Sequence, residues 1–456
     1  SSQHSELNPK ETKMLLHLSC CKTELFLISA IMKKLKHLAI MFTLSAFGFA
    51  GWSQQASWTH FRGDRLDGIS GATKVPLHWN DTTNIAWKAD IEGKGWSSPV
   101  VNDGQIWITT ANLTGTEMKA LCLDLETGRK MFDIALFKPD SVQKKHAINT
   151  YATPTCALEK GRVYVTFGTY GTACLNTSNG QVIWKRTDLT CDHVQGPGSS
   201  LLIYKDFLIV HVEGTDVQYI AALDKATGLT VWRTDRPKEL YDPMPWIGKK
   251  AYITPIIVTV NGKDQLISNG SAACFAYDPE TGKELWRVVQ GIDSTISMPF
   301  SANGVVFFYS SFVHPPEGKD YCELIALNPD GKGDIADDHI LWRHKSPPLQ
   351  LLTPLLYSGL IYTVDTENNL QCLDAKSGEV LNSRKLKTKY HSSPVYAGGY
   401  ILLTSIKGEA MALKPGAELE VVAENKLPGE VFATPAIVDN SILMRTDRGL
   451  YRIAEE

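Results

Sequence analysis

The sequence predicts an all-β protein: an eight-bladed β-propeller of four-stranded antiparallel blades, its ring closed by an N-terminal strand. Three observations predict it. A hairpin recurs along the chain, a short strand start recurs between the hairpins, and the two series differ in number by one. Units repeating at roughly 40–55 residues mark radial repeat folds.

The clearest hairpin is CFAYDPETGKELWR at 274–287. Copies read CLDLETGRKMF (122–132), CLNTSNGQVIW (174–184), ALDKATGLTVW (222–232) and CLDAKSGEVLN (372–382). Residues 326–342 carry the unit with an insertion, and the run from Ala412 is a worn copy. Each position has a job. The Asp or Asn carboxyl or amide oxygen accepts backbone N–H groups at a turn, and the Gly supplies the positive φ that closes it. Alternation on both sides makes two antiparallel strands. The terminal Trp is a large apolar plug for the interface between sheets.

Between hairpins stands a small or hydroxyl residue, then Pro, then an apolar strand: SSPVV from Ser97, ATPTC from Ala152, ITPII from Ile253, SMPFS from Ser297, LTPLL from Leu352, SSPVY from Ser392 and ATPAI from Ala433. The third blade has GSSLLIY from Gly198, with Ser where Pro would stand. Proline is tolerated because it opens a strand, where a missing N–H breaks no ladder. Eight starts meet seven internal outer strands. The missing one is NIAWKAD, residues 84–90, with Trp87 in the Trp position, so the N-terminal strand completes the blade that starts at Ala433.

The propeller takes residues 84–456, and 54–83, beginning with WTHFRGDRLDGIS after Ser57, form an extended segment packing aromatic side chains on the ring. Residues 32–53, MKKLKHLAIMFTLSAFGFAGWS, read as a secretory signal peptide: lysines, an apolar run, then small residues. Residues 1–31 are then an upstream extension outside the mature protein. The apolar run is short for a membrane span, though joining it to LFLISAI into an anchor stays open. The expected location is periplasmic or secreted. A net charge of −3 and 21% charged residues give no nucleic-acid footprint. Cys122, Cys174 and Cys372 replace Ala in the hairpin and read as small buried residues; a Cys156–Cys191 pair stays open. No zinc-ribbon or haem-attachment spacing is present.

Chemistry in a propeller gathers where the connections between blades converge on the channel. Those connections hold Trp96, Asn149, Tyr151, Asp192, His193, Gln195, Asp242, Trp246 and His391. His193 with Asp192 is the candidate catalytic pair, as acid and base. Trp96, Asn149, Tyr151, Gln195, Asp242, Trp246 and His391 are candidates for holding a cofactor or ligand at the rim, by stacking or hydrogen bonding. No HxxxH or HExxH spacing marks a metal.

The TG-W hairpins and SPV starts resemble the PQQ-like (quinoprotein alcohol dehydrogenase-like) β-propeller repeat family, which builds quinoprotein dehydrogenases and the noncatalytic BamB-like envelope scaffolds. WTHFRGDRLDGIS, HAINTYATP and TDLTCDHVQGPGSS further resemble secreted PQQ-binding-like propellers. The resemblance implies the fold. For function it implies an exported binding or scaffold protein of the cell envelope, its partner a protein or a small or carbohydrate ligand at the rim. The alternative it implies is a PQQ-dependent oxidoreductase acting on an alcohol or sugar. A hydrolase or lyase working from Asp192 and His193 is a third reading. PQQ and Ca²⁺ are the cofactors of the second; Glu213, Asn149 and Asp192 are residues of types that hold such a Ca²⁺, but no motif assigns them. The only adjacent cysteines, Cys20 and Cys21, precede the signal peptide.

Overall fold

The computed structural model describes residues 57–455 except 292, 294, 314, 316 and 317, and only the backbone of 337. The expected signal peptide and upstream extension lie outside the described residues. The chain forms eight sheets in ring order, each with an inner strand, two middle strands and an outer strand paired antiparallel. Seven blades are contiguous, at residues 100–137, 157–186, 202–235, 256–289, 300–346, 355–385 and 395–426. The eighth takes Ala436–Val438, Ser441–Arg445 and Gly449–Ile453, and its outer strand is Ile85–Asp90, paired as Lys88 with Tyr451 and Asp90 with Gly449. The ring closes by joining the two ends of the domain.

The hairpin turns are built as their composition predicts. Asp278 Oδ1 accepts the N–H groups of Glu280 at 2.9 Å and Thr281 at 3.0 Å, and Gly282 closes the turn at φ +72°. Asp124 and Asp224 bind Thr127 and Thr227 in the same way, each at 2.8 Å. The turn glycine also receives the neighbouring blade. Trp87, Trp184, Trp232 and Trp342 lie against Gly128, Gly228, Gly282 and Gly378. Their indole N–H groups donate to the carbonyls of Leu125, Lys225, Pro279 and Ala375 at 2.9–3.2 Å. Trp286 departs from this pattern because blade 5 has no Thr-Gly turn to receive it. Instead its N–H donates to Gln265 Oε1 at 2.8 Å, and part of the blade 5 insertion, Gly333–Asp334, pairs in parallel beside it as a fifth strand of blade 4.

The strand starts need one correction. The residue just before the inner strand is Pro in six blades, but Cys156 in blade 2 and Leu201 in blade 3. Pro154 therefore stands two residues too early to be the equivalent proline, and Ser199 and Ser200 precede the proline position. The seven described cysteines are free and buried, and Cys156 and Cys191 are not bonded.

Residues 57–74 cross the face opposite the connecting loops. Trp58 bridges Val101 in blade 1, Leu158 N donates to Thr59 O at 2.8 Å in blade 2, and Ile203 N donates to His60 Nε2 at 3.3 Å in blade 3. Arg62, 1% exposed, donates to the carbonyls of Thr353 at 2.7 Å and Pro354 at 2.9 Å in blade 6. Tyr396 N donates to Gly68 O, and Lys74 N to Asn440 Oδ1, in blades 7 and 8. This strap seals one end of the central channel.

Candidate functional site

The channel becomes a blind pocket of about 310 Å³, open at the rim of connecting loops and floored by Phe61 from the strap. Its wall is set by one recurring position, two residues before each inner strand. Seven blades place a hydroxyl there: Ser98, Thr155, Ser200, Thr254, Thr353, Ser393 and Thr434; blade 5 places Met298. These residues are linked around the ring. The backbone N–H of Ser98 donates to Thr155 Oγ1 at 3.0 Å, Thr155 N–H to Ser200 Oγ at 2.9 Å, and Ser200 N–H to Thr254 Oγ1 at 3.2 Å. After the break at Met298, whose own N–H donates to Thr353 Oγ1 at 3.1 Å, the belt continues through Ser393 and Thr434 back to Ser98 at 2.9–3.1 Å. Each hydroxyl oxygen thus accepts a backbone N–H from the preceding blade, which leaves its own proton to donate toward the channel.

Above the belt, Trp96 stacks on Phe432 with centroids 4.5 Å apart, and His391 lies against Phe432 at 5.3 Å. The Trp96 indole donates to Ile148 O at 2.9 Å. Asn149 is a clamp: its amide donates to the carbonyls of Gln195 and Pro197, and its oxygen accepts Thr150 N–H and Thr153 Oγ1–H. Tyr252 donates to Gln195 Oε1 at 2.6 Å, leaving the Gln195 amide N–H groups for a ligand. His391 is neutral near pH 7, since burial, aided by Lys389, pushes its pKa down to about 4.

Of the sequence candidates, Trp96, Asn149, Gln195 and His391 line the pocket. Tyr151 is buried behind the wall, its hydroxyl on Gln143 O. Asp242 is exposed at the end of the short helix Lys238–Tyr241, and Trp246 is 59% exposed, so both stand outside the pocket. Asp192 and His193 point apart. Asp192 is exposed and its carboxylate accepts Val194 N–H, whereas His193 is buried, with Nε2 accepting Thr169 N–H at 2.9 Å and Nδ1 3.5 Å from Cys191 Sγ. Adjacent residues in extended chain face opposite sides, and this loop does not bend enough to reunite them. The hydroxyl belt, Phe61 and Tyr252 escaped the sequence reading, which had Phe432 on the connection before the last blade; the belt had a signal in the Ser or Thr of the strand starts.

Among the described residues the pocket wall contains no Asp, Glu, Lys or Arg. A quinone bearing several carboxylates and held with Ca²⁺ calls for cations on the wall and carboxylates for the metal. Glu213 is buried in an ion pair with Arg236, Asp192 faces outward and Asn149 is spent on its loop. Among the described residues no three His, Cys, Asp or Glu side chains gather as a metal site. The wall does not fit PQQ with its Ca²⁺.

Fold and pocket together define a PQQ-like β-propeller: four-stranded blades docked Trp-on-Gly around a channel. The chain belongs to the family described as outer membrane protein assembly factor BamB, whose model matches residues 60–205, 216–389, 331–417 and 366–456. A BamB of Nitrosomonas eutropha is 26% identical over 129 residues, which span 28% of this chain and 30% of that protein. Two solved structures share the fold. BamB from Moraxella catarrhalis superposes with a TM-score of 0.55 at 14% identity, over 81% of this chain and 98% of that one. The quinohemoprotein alcohol dehydrogenase from Comamonas testosteroni superposes with a TM-score of 0.61 at 14% identity, over 89% and 82%.

Proposed function

We propose that the protein is an exported propeller of the cell envelope that works as a binding or scaffold protein, a protein partner docking on the rim around the channel mouth. One observation carries the reading: exposed large apolar side chains surround a pocket without charge. Ile148, Trp246 and Ile296 stand on rim connections and are 40%, 59% and 39% exposed. Ile148 and Ile296 also line the pocket. Apolar surface gathered in this way marks an interaction site, and Trp is the residue most enriched among those that dominate binding. Family membership and the signal-like stretch at 32–53 support a periplasmic or secreted place. No helix among the described residues is long and apolar enough to cross a membrane. The rival reading, a quinone-dependent oxidoreductase, requires charges that the pocket wall lacks.

The test is a photo-crosslinking side chain placed at 148, at 246, and at 229 on a hairpin turn away from the rim, in bacteria producing the full chain. Adducts with an envelope protein are expected from 148 and 246 only. Adducts from 229 alone, or dye-linked oxidation of an alcohol or sugar by the purified protein on adding PQQ and Ca²⁺, overturn the reading.

A further inference from the structure

A second, smaller cavity of about 30 Å³ lies between blades 2 and 3, capped by the loop before blade 4. It is roughly the size that holds one or two water-sized groups. Cys191, His193, His211, Glu213 and Lys250 line it, all buried. Five buried titratable groups around one void, none of them used by the channel, require an account of their charges.

Glu213 is matched by Arg236. Its Oε1 accepts Arg236 Nε–H at 3.0 Å and the Tyr241 hydroxyl at 2.9 Å, and its Oε2 accepts Ser271 N–H at 3.2 Å. The Arg236 guanidinium also donates to Ser268 Oγ at 2.7 Å and to the Tyr277 hydroxyl. Ser268 Oγ also forms a hydrogen bond with His211 Nδ1, 3.0 Å away, and His211 Nε2 lies on the other side of the ring. That nitrogen is buried without a hydrogen-bond partner, its nearest carboxylate oxygen being Glu213 Oε1 at 3.9 Å.

Lys250 is the unmatched cation. No carboxylate lies within salt-bridge distance of it among the described residues; its ammonium faces the Tyr252 ring at 4.8 Å from the centroid. Asp192 and Asp216 act on it only through space and are exposed. Burial pushes its pKa down, and the surrounding Cys191, Glu213, Asp216 and Asp192 work the other way. His193 gives the cavity no further acceptor, since its Nε2 is taken by Thr169 N–H. The void is thus lined by a buried lysine without an ion pair, beside a carboxylate whose two oxygens already accept three donors. An isolated buried cation is costly, and a counter-ion removes the cost.

We propose that this cavity binds one small monovalent anion, a halide, formate or bicarbonate, held by the Lys250 ammonium. His193 and Lys250 belong to the loops that enter blades 3 and 4, and the first of these carries Gln195 to the channel wall. Anion binding would therefore fix the loops that shape the rim.

The test uses the full chain in sodium gluconate, whose anion is too large for the void. Replacing gluconate at constant ionic strength with chloride, bromide, formate or bicarbonate should raise Tm saturably by about 2–4 °C. A crystal soaked in bromide should show an anomalous peak beside Lys250, and the order of the four anions in the titration identifies the preferred one. Lys250→Met should abolish the response; Lys250→Gln provides a second variant should that one fail to fold. An identical Tm in all five salts, a bromide peak elsewhere only, or an unchanged anion response in both variants overturns the proposal and assigns the cavity to water beside a neutral lysine.

Discussion

Trp232 and Gly282 belong to different blades yet form one joint: a Cβ added to Gly282 would stand 2.4 Å from Trp232 Cε3, and the Trp232 indole donates to Pro279 O at 3.1 Å in the same turn. The glycine is therefore required twice, for its φ of +72° and for the space it leaves. Gly282→Ala is expected to cost about 2 kcal/mol or more, above the roughly 1 kcal/mol of the backbone effect alone. Gly262→Ala, at φ +75° with nothing near its Cβ, isolates the backbone effect. Urea denaturation of the two variants measures the difference, and equal losses would remove the steric part.

Trp286 and Trp246 should behave oppositely. Trp286 is fully buried and hydrogen-bonded to Gln265, whereas Trp246 is 59% exposed. Trp286→Ala should lose about 3–5 kcal/mol, and Trp246→Ala should stay within about 0.5 kcal/mol while weakening capture of a partner. Melting curves alongside crosslinking separate the two roles.

Removing the chain up to residue 90 takes away the outer strand of blade 8 and bares the edge of Gly449–Ile453. An unpaired edge recruits other edges. The truncated protein should therefore aggregate on light scattering, and a peptide of residues 84–90 added in excess should slow it. A monodisperse truncated protein would mean that ring closure does not depend on this strand.

His60 links the strap to blade 3, accepting Ile203 N–H. Burial pushes its pKa down from 6.5 to about 4, against the weaker opposing pull of Asp64 and Glu159. A depressed histidine pKa means that the folded state prefers the neutral ring. Its contribution is complete above pH 6.5 and is lost as pH falls toward 4, about 3 kcal/mol in all. His391, also near 4, acts in the same window. His60→Asn should flatten the stability profile between pH 6.5 and 4, as read by denaturation at each pH.

Much of this molecule was determined by its sequence alone. Blade number, strand order and the closing role of Trp87's strand follow from turn chemistry and side-chain alternation, which are local and recur from blade to blade, so that each copy corrects the reading of the others. The hydroxyls that precede seven of the eight inner strands left a signal in the strand starts for the same reason, although their partners in the next blade did not. Only the tertiary structure decided the site. Asp192 and His193 are neighbours in sequence, but the turn through Val194, at φ +48°, leaves one in solvent and the other beside Cys191. Phe61 lies outside every repeat and reaches the channel only because its strap crosses the ring. Lys250 and His211 line one void across a blade boundary. Which side chains converge depends on loop paths that occur once each, and on packing between segments far apart in the chain, for which no periodic pattern exists to be read.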